Sequence, residues 1–481
     1  MNQIPQDNQE PIDVVIMAAG KGTRMKSSLP KVLHRLGGRA LVAHVIDTAA
    51  SIGARHIVVV TGHGAPDVEA ALEGALDGAT PQFARQMPQL GTGHAMQQAA
   101  PLLPDDGTVV VLSGDVPLIG ADTLRALVGE SAGRRLALLT IRVGDPKGYG
   151  RIVRVQGGSD SEGDEGEVQS IVEEKDATEA QRAIREIYSG VMAVPARLLK
   201  TWLARLDNKN AQGEYYLTDI VGFAAVDGVP VVAHRTDDPL QVAGVNSPKQ
   251  LAALERAFQL RQAEALMDQG VRLADPARFD LRGTLACESD VEIDVNCVFE
   301  GAVSLGADVR IGANCVIANA RIETGAVIHP FTHIDGEKAG VTVGAGALVG
   351  PFARLRPGAR LGAEVHIGNF VEVKNSTLAA GAKANHLAYL GDATVGQRVN
   401  YGAGSITANY DGANKHRTLI GDDVHVGSNC VLVAPITIGA GGTIGGGSTI
   451  TKSTEPGALT ISRARQASFA NWKRPQKAPK T

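Results

Sequence analysis

The sequence predicts two fold classes in one chain: an α/β unit with a mostly parallel sheet, then an all-β parallel β-helix of hexapeptide repeats. Three observations carry this. Aliphatic residues at Val343, Val349, Leu355, Leu361, Ile367 and Val373 recur every six positions, usually followed by glycine, as at Gly344, Gly350, Gly362 and Gly368. A helix would repeat at 3.6 and one long strand at 2, so neither explains the pattern. Three hexads close one triangular coil with the aliphatics inside, and coils stack at about 4.8 Å. Upstream, strand patterns alternate with helix patterns, which argues for parallel strands covered by helices on both faces. Finally, 57 glycines and only 4% aromatic residues among 481 suit a thin core of Val, Ile and Leu.

In chain order, residues 1–13 are polar and are expected to form a disordered lead. Residues 13–19 (DVVIMAA) read as a buried strand running into GKGTRMKSSLPK. A glycine loop after a strand can turn backbone N–H groups toward a phosphate. The loop is neither GxGxxG nor a P-loop; its signal is the cations Lys21, Arg24 and Lys31. Such charges can hold a triphosphate and stabilise departing pyrophosphate. An ordinary turn is the alternative, and AAGKGTRM together with LPK favours the ligand reading. Helices at 41–51 and 93–100 alternate with strands at 56–61 and 108–112. The last strand ends in SGDVP, setting Asp115 at the carboxyl edge of the sheet, where ligands bind. One carboxylate there suits Mg²⁺, which keeps waters and substrate phosphates as its other ligands; a turn-capping aspartate is the alternative. Gln86 and Gln89 carry amides that can read the edge of a base, and Gly91 and Thr92 let backbone approach it.

GYGRIV and IVEEKDA read as strands around an acidic loop, 157–167, expected to be mobile and without chemistry. The first unit is expected over 14–246. Ser247, Pro248 and Gln250 then have the N-cap, N1 and N3 chemistry of a helix start. Leu251, Leu254, Phe258 and Leu266 form one stripe, and Gly270 can end the helix. Residues 247–270 are therefore expected as a linker helix, with 271–481 as the second unit.

The hexads begin loosely near Val291, break across 375–417 and resume at Ile420. The break is rich in Asn, His and Tyr, and departures from a rigid repeat are where function is grafted. Arg356 and Lys374 stand where glycine is expected, eighteen apart, so they should stack on one edge. Two stacked cations call for an anion, and phosphate is the natural one; two solvated surface side chains are the alternative. His386 lies within the break, and an imidazole is suited to take a proton from an ammonium group. The tail SRARQASFANWKRP is basic with a tryptophan, suited to cover a nucleotide or a neighbouring subunit.

The net charge of −4 gives no pull toward nucleic acid or membrane. No stretch reaches about 18 apolar residues, so a cytoplasmic protein without membrane insertion is expected. Cys287, Cys297, Cys315 and Cys430 form no CxxC pair and are expected as buried thiols rather than a zinc site.

The motifs MAAGKGTRM, LPK, QLGTGHAMQQAAP, GDVPL, GYGRI, KNAQGEYYLTDI, GPFARLRPG, FVEVKN, HLAYLGD and NYDGANKH occur in that order. With them the chain resembles the bacterial GlmU family, bifunctional UDP-N-acetylglucosamine pyrophosphorylases and glucosamine-1-phosphate N-acetyltransferases. The resemblance implies a Rossmann-like nucleotidyltransferase unit and a left-handed β-helix acetyltransferase unit. It implies acetylation of glucosamine-1-phosphate by acetyl-CoA, then uridylyl transfer from UTP to N-acetylglucosamine-1-phosphate. Met17, Ala18, Ala19 and Gly20, with Lys21 and Lys31, would line the UTP site beside Ser113 and Gly114. Gln86, Gly91 and Thr92, with Gln89 nearby, would hold the uracil. Lys31 and Arg24 would act on the phosphates, and Asp115 and Asn246 would hold Mg²⁺. Gly150 and Glu173 would contact the amino sugar. Tyr188, in EIYSG, stands where the family has asparagine, at a sugar or ribose contact. In the second unit Arg356, Lys374, Tyr389 and Asn400 would bind glucosamine-1-phosphate, and His386 would be the proton acceptor. Ala403, Asn409, Tyr410, Ser428 and Arg463 match the acetyl-CoA site, as does Gly446, where the family carries alanine. A homotrimer is implied as well. The alternative, a sugar-1-phosphate nucleotidyltransferase whose β-helix serves only assembly or regulation, is disfavoured by HLAY and NYDG in the broken hexads.

Overall fold

The computed structural model describes residues 10–73, 80–155 and 166–477. It divides into two compact units, Met1–Phe258 and Gln259–Thr481. The acidic loop falls almost wholly outside the described residues.

The sheet of the first unit uses β1 (Ile12–Met17), β2 (His56–Thr61), β3 (Gln82–Arg85), β4 (Thr108–Ser113), β5 (Leu136–Arg142), β6 (Arg151–Arg154), β7 (Val168–Val172), β8 (Glu186–Pro195) and β9 (Val231–Arg235). Their order is β9-β5-β8-β4-β1-β2-β3, with the β6–β7 hairpin off this path. β1 runs parallel to β2 and β4, β2 to β3, and β5 to β9. Only β8 is antiparallel within that row, between β4 and β5. β1 reads as a continuous apolar run because both its faces are covered. Val14 and Ile16 pack with the helices Leu41–Ser51 and Ala121–Ser131, and Val15 packs with Thr92–Ala99 on the other side.

The lead is shorter than expected. Ile12 and Asp13 already pair with Thr108 and Val109. Asp13 is fully buried and bonds the Arg55 guanidinium (2.7 Å) and His56 Nδ1 (2.8 Å). These partners lie over forty positions away in the sequence.

The helix Pro248–Asp268 starts as its sequence requires, with the Gln250 N–H donating to Ser247 Oγ (3.3 Å). It ends with Gly270 at φ 96° and the Val271 N–H donating to the Leu266 carbonyl.

In the second unit, short parallel strands stack coil on coil along three faces. The first face runs through Ile311, Ile328, Val349, Ile367, Ala384, Tyr401, Val426 and Ile444. The second runs through Ile334, Leu355, Val373 and Leu390. The third runs through Val343, Leu361, Leu378, Val395, Ile420 and Ile438. The expected break over 375–417 is mostly no break. Strands from Thr377–Leu378 to Ile406–Ala408 continue the prism. Ile367 pairs with Ala384 and Ala384 with Tyr401, each seventeen residues on. One corner residue is missing from each turn, which shifts the sequence period and leaves the stack intact. Only the next interval, Tyr401 to Val426, is long enough (25 residues) to expel a loop.

Cys297, Cys315 and Cys430 are buried free thiols and Cys287 is half-buried. Burial pushes the thiols of Cys287 and Cys297 up to about 11 and that of Cys315 up to about 12, so they stay protonated and inert. No helix among the described residues is long and apolar enough to cross a membrane.

Candidate functional site

In the first unit a cavity of about 520 Å³ opens at the carboxyl ends of the sheet strands. Met17, Ala18, Ala19, Gly20, Lys21, Lys31, Gln86, Gln89, Gly91, Thr92, Ser113 and Asp115 all line it. Val32, Ala95 and Glu214 line it too, and the sequence reading had not singled them out. Gln89 Nε2 donates to the Ala19 carbonyl (3.1 Å), tying the two loops together. Gln86 is buried and donates through Nε2 to the Gly91 carbonyl (2.8 Å), which leaves its amide oxygen to accept from a ligand. Gly91 needs its hydrogen side chain: its φ is 102°, and an added methyl would meet the Tyr215 carbonyl at 2.6 Å. Arg24 sits on a 3-10 turn, Thr23–Met25, with an exposed side chain outside the cavity lining.

Lys31 Nζ donates to Asp115 Oδ2 (2.5 Å) and to Asn246 Oδ1 (3.1 Å). These two residues lie 131 positions apart (246 − 115), yet their oxygens converge on one cation. The Asp115 carbonyl accepts from the Val245 N–H (2.9 Å), holding the two segments side by side. Two oxygen donors, one of them anionic and on the cavity wall, fit a small hard cation that keeps most of its own waters.

Gly150, Glu173 and Tyr188 form a neighbouring cluster. The Tyr188 N–H donates to the Gly150 carbonyl (2.9 Å), and a methyl on Gly150 would come 2.7 Å from Ile171. Glu173 Oε1 accepts from Thr218 Oγ1 (3.0 Å). Burial raises the Glu173 carboxyl above its usual range, against the opposing pull of Thr218. Burial, with Glu173 next in effect, also raises the Tyr188 phenol, so it stays a neutral donor. Thr218 is a residue that sequence spacing did not suggest. The segment before it is pinned to the loop 90–93: Gly93 N–H donates to the Tyr215 carbonyl (2.8 Å) and Leu217 N–H to Thr92 Oγ1 (3.1 Å).

In the β-helix, register sorts the remaining residues into columns. Two positions beyond the first-face aliphatics stand Asn369, His386, Ala403, Ser428 and Gly446, one per coil. Asn369 Oδ1 lies 3.0 Å from His386 Nδ1. An amide oxygen only accepts, so Nδ1 carries the proton and the exposed imidazole keeps its Nε2 lone pair. Asn369 was not singled out by the sequence. Beyond His386 the small side chains of Ala403, Ser428 and Gly446 leave a shallow track about 14 Å long, three coil spacings. Arg463 closes its far end by donating to the Gly446 carbonyl (2.7 Å).

The His386 column marks the near edge of the second face, and a second column marks its far edge. Arg356 and Lys374 follow the paired Leu355 and Val373, so they stack as their spacing predicts. Arg356 donates to Glu372 Oε1 (2.8 Å). Lys374 is next to Gly391, over which the Tyr389 hydroxyl lies. The Lys374 ammonium has its pKa lowered mainly by Lys415, with Arg356 acting the same way and Asp392 opposing them. Lys415 belongs to the expelled loop and joins the column only through the fold. Three cations converging on one spot form an anion site. Asn400 does not join them: it lies on the first face, paired with Lys383 and His425. Asn409 is buried, and its amide is spent on Asp392 (2.5 Å). Tyr410 is exposed at the base of the loop.

A family model described as MobA-like NTP transferase domain matches residues 14–269, and one described as bacterial transferase hexapeptide (six repeats) matches residues 417–452. "Bifunctional protein GlmU" of Polaromonas sp. is 73% identical over 477 residues, covering 98% of this chain and 99% of the relative. The protein of that name from Polaromonas naphthalenivorans is 72% identical, covering 98% and 99%. That from Azoarcus sp. is 54% identical, covering 97% and 100%.

Proposed function

This chain belongs to the GlmU family of bifunctional proteins, and from that premise we propose which of its residues carry each reaction. It is a uridylyltransferase and an acetyltransferase, and the family's nucleotidyl transfer requires a divalent metal.

Acetylation comes first in our reading. The amine of glucosamine-1-phosphate is largely protonated at neutral pH and cannot attack a thioester. His386 Nε2 takes that proton, with Asn369 holding the tautomer, and the amine then attacks the acetyl-CoA carbonyl. The thioester chain lies along Ala403, Ser428 and Gly446, with Asn409, Tyr410 and Arg463 around the cofactor. Arg356, Lys374 and Tyr389, joined by Lys415, hold the sugar phosphate. The observation that carries this reading is the cation column bordering the same prism face as the His386 column. Asn400, a corner away, would then act on substrate held by a neighbouring copy.

Uridylyl transfer needs no base, because the attacking phosphate is already an anion. The cavity must bring two anions together and neutralise the leaving pyrophosphate. Lys31 and Lys21 do this from the cavity wall, with Arg24 reaching in from outside it. Asp115 and Asn246 would hold Mg²⁺, which when bound supplies further charge neutralisation on the triphosphate. Gln86, Gln89, Gly91 and Thr92 hold the uracil, with Ser113 and Gly114 beneath the nucleotide. Gly150, Glu173 and Tyr188 contact the amino sugar. With Asp115 and Asn246 given to the metal, Lys31 would be the ammonium left to face the phosphates.

We place the chain in the cytoplasm as a homotrimer. Phe331, Phe352 and Phe370 support the trimer: they stack at a corner of the prism with ring centroids 4.9 and 5.4 Å apart, each about half exposed. Leu387 extends the ladder directly beside His386, 62% exposed. A second prism would bury this apolar edge.

Mass analysis of products from glucosamine-1-phosphate, acetyl-CoA and UTP tests the function. A UDP-N-acetyl-hexosamine with free thiol and pyrophosphate is expected. Pyrophosphate without thiol release would leave the β-helix an assembly device.

A further inference from the structure

We propose that Asp392 is a positioning residue for the acetyl acceptor: it clamps the loop carrying Lys415 onto the coil carrying Lys374. This rests on the reading of Arg356, Lys374 and Lys415 as the holder of the sugar phosphate.

Asn375, Asp392 and Asn409 stack at the corner that follows the second face. Asp392 is 5% exposed and adopts a left-handed backbone, φ 50°. Its Oδ1 accepts from Asn375 Nδ2 (2.5 Å), one coil below. Its Oδ2 accepts from Asn409 Nδ2 (2.5 Å), one coil above. Its main-chain carbonyl accepts from the Thr418 N–H (3.2 Å). Asn409 enters the loop and Thr418 leaves it, so one residue holds both ends. The loop between them is itself stiff. Asp411 accepts from the N–H groups of Ala413 (2.8 Å) and Asn414 (2.6 Å) and meets His416 Nε2 (2.6 Å). Any swing must therefore come from the ends that Asp392 fastens.

A clamp is needed because the loop works against its own charge. Lys415 is held against Lys374, which also feels Arg356, and like charges repel. Asp392 restrains the loop and also places a negative charge beside Lys374. Asparagine could not replace it. Two amide N–H₂ groups approach from opposite sides and need two oxygens, whereas asparagine would turn a third N–H₂ toward one of them.

The test is a mutant cycle of Asp392→Asn with Lys415→Ala in the full chain, reading KM for glucosamine-1-phosphate separately from kcat, with melting temperature measured on each variant. If Asp392 acts through Lys415, each single change raises KM about tenfold, kcat stays within about threefold, and the double variant is no worse than Lys415→Ala alone. Asn375→Ala, which cuts the rung facing away from the loop, leaves KM within about twofold. Additive losses, or a fall in kcat and melting temperature at unchanged KM, would overturn the proposal and leave a structural staple. Should Asp392→Asn not fold, Asp392→Ser, which gives up both carboxylate rungs without adding a third amide, enters the same cycle with the same outcomes. If Lys415→Ala and Lys374→Ala themselves leave KM unchanged, it is the phosphate reading that fails.

Discussion

The base role proposed for His386 rests on one hydrogen bond to a surface imidazole. Nothing buries the ring; Asn369 alone sets which nitrogen is free. His386→Ala should lower acetylation by about two to four orders of magnitude, the usual general-base contribution, and Asn369→Ala by about tenfold, with uridylyl transfer untouched by either. Both follow from thiol release and pyrophosphate release measured on the same sample, and an unaffected Asn369→Ala would show that the ring needs no orientation. A carboxylate in the first unit makes a different prediction. Burial, with Asp207, Glu173 and Asp176 adding to it, raises Asp219 from its ordinary 3.8 to about 6. The folded chain therefore keeps a proton that the unfolded chain has lost. That contribution favours folding below about pH 4 and is gone once the pH rises through about 6. Asp219→Asn does not titrate, so its stability relative to the parent should rise by about 1 kcal/mol between pH 4 and 7, allowing for water at this half-exposed group. Melting curves at the two pH values check this; a difference independent of pH would remove Asp219 from the account.

The coil is the unit that makes the second half work. Each rung adds one inward aliphatic and presents one outward residue to each column, so a register error of one position would exchange core for surface. Glycines are demanded where the columns crowd. A methyl on Gly391 would overlap the Tyr389 hydroxyl, which rests above it beside Lys374. Gly391→Ala should therefore push the phenol off the phosphate site and raise KM for glucosamine-1-phosphate about tenfold, about one lost hydrogen bond to charge, with little change in KM for acetyl-CoA. Equal rises in both would mean that the coil itself had shifted. The hexads were legible up to Val373 because aliphatics and glycines kept strict step. They became illegible past Asn375 because the seventeen-residue turn drops one position, although the strands continue unchanged. In the first unit the strand–loop–strand pattern announced the cavity, and all but a few of its walls could be read from MAAGKGTRM, LPK and RQMPQLGT. Glu214 on its wall and Thr218 in the neighbouring cluster could not, because their approach depends on hydrogen bonds to the loop 90–93.

Across the chain the two reactions impose opposite demands, and the two folds answer them separately. The cavity of the first unit carries fixed cations on its wall, as the nucleotidyl transfer proposed there requires. In the reading proposed above, acetyl transfer takes place on a prism whose faces are open, so closure would come from another copy. Phe352→Glu would put a charge into the middle of the phenylalanine ladder. It should shift the protein from trimer to monomer in sedimentation and abolish thiol release, while pyrophosphate release persists. A monomeric variant that still acetylates would show that one prism suffices.

By itself the sequence determined the two folds, their order, the glycine loop at the end of the first strand and the stacking of Arg356 on Lys374, because these follow from local periodicity and from spacing equal to one coil. Only the tertiary structure decided that Lys31 bridges Asp115 and Asn246, that Asn369 orients His386, and that Asp392 fastens the loop bearing Lys415. Those contacts join groups one or more coils apart, or as much as 215 residues apart for Lys31 and Asn246. The physical reason is that a side chain's reach is set by where the backbone brings it, and no sequence period records that for a loop or a switch of sheet edge.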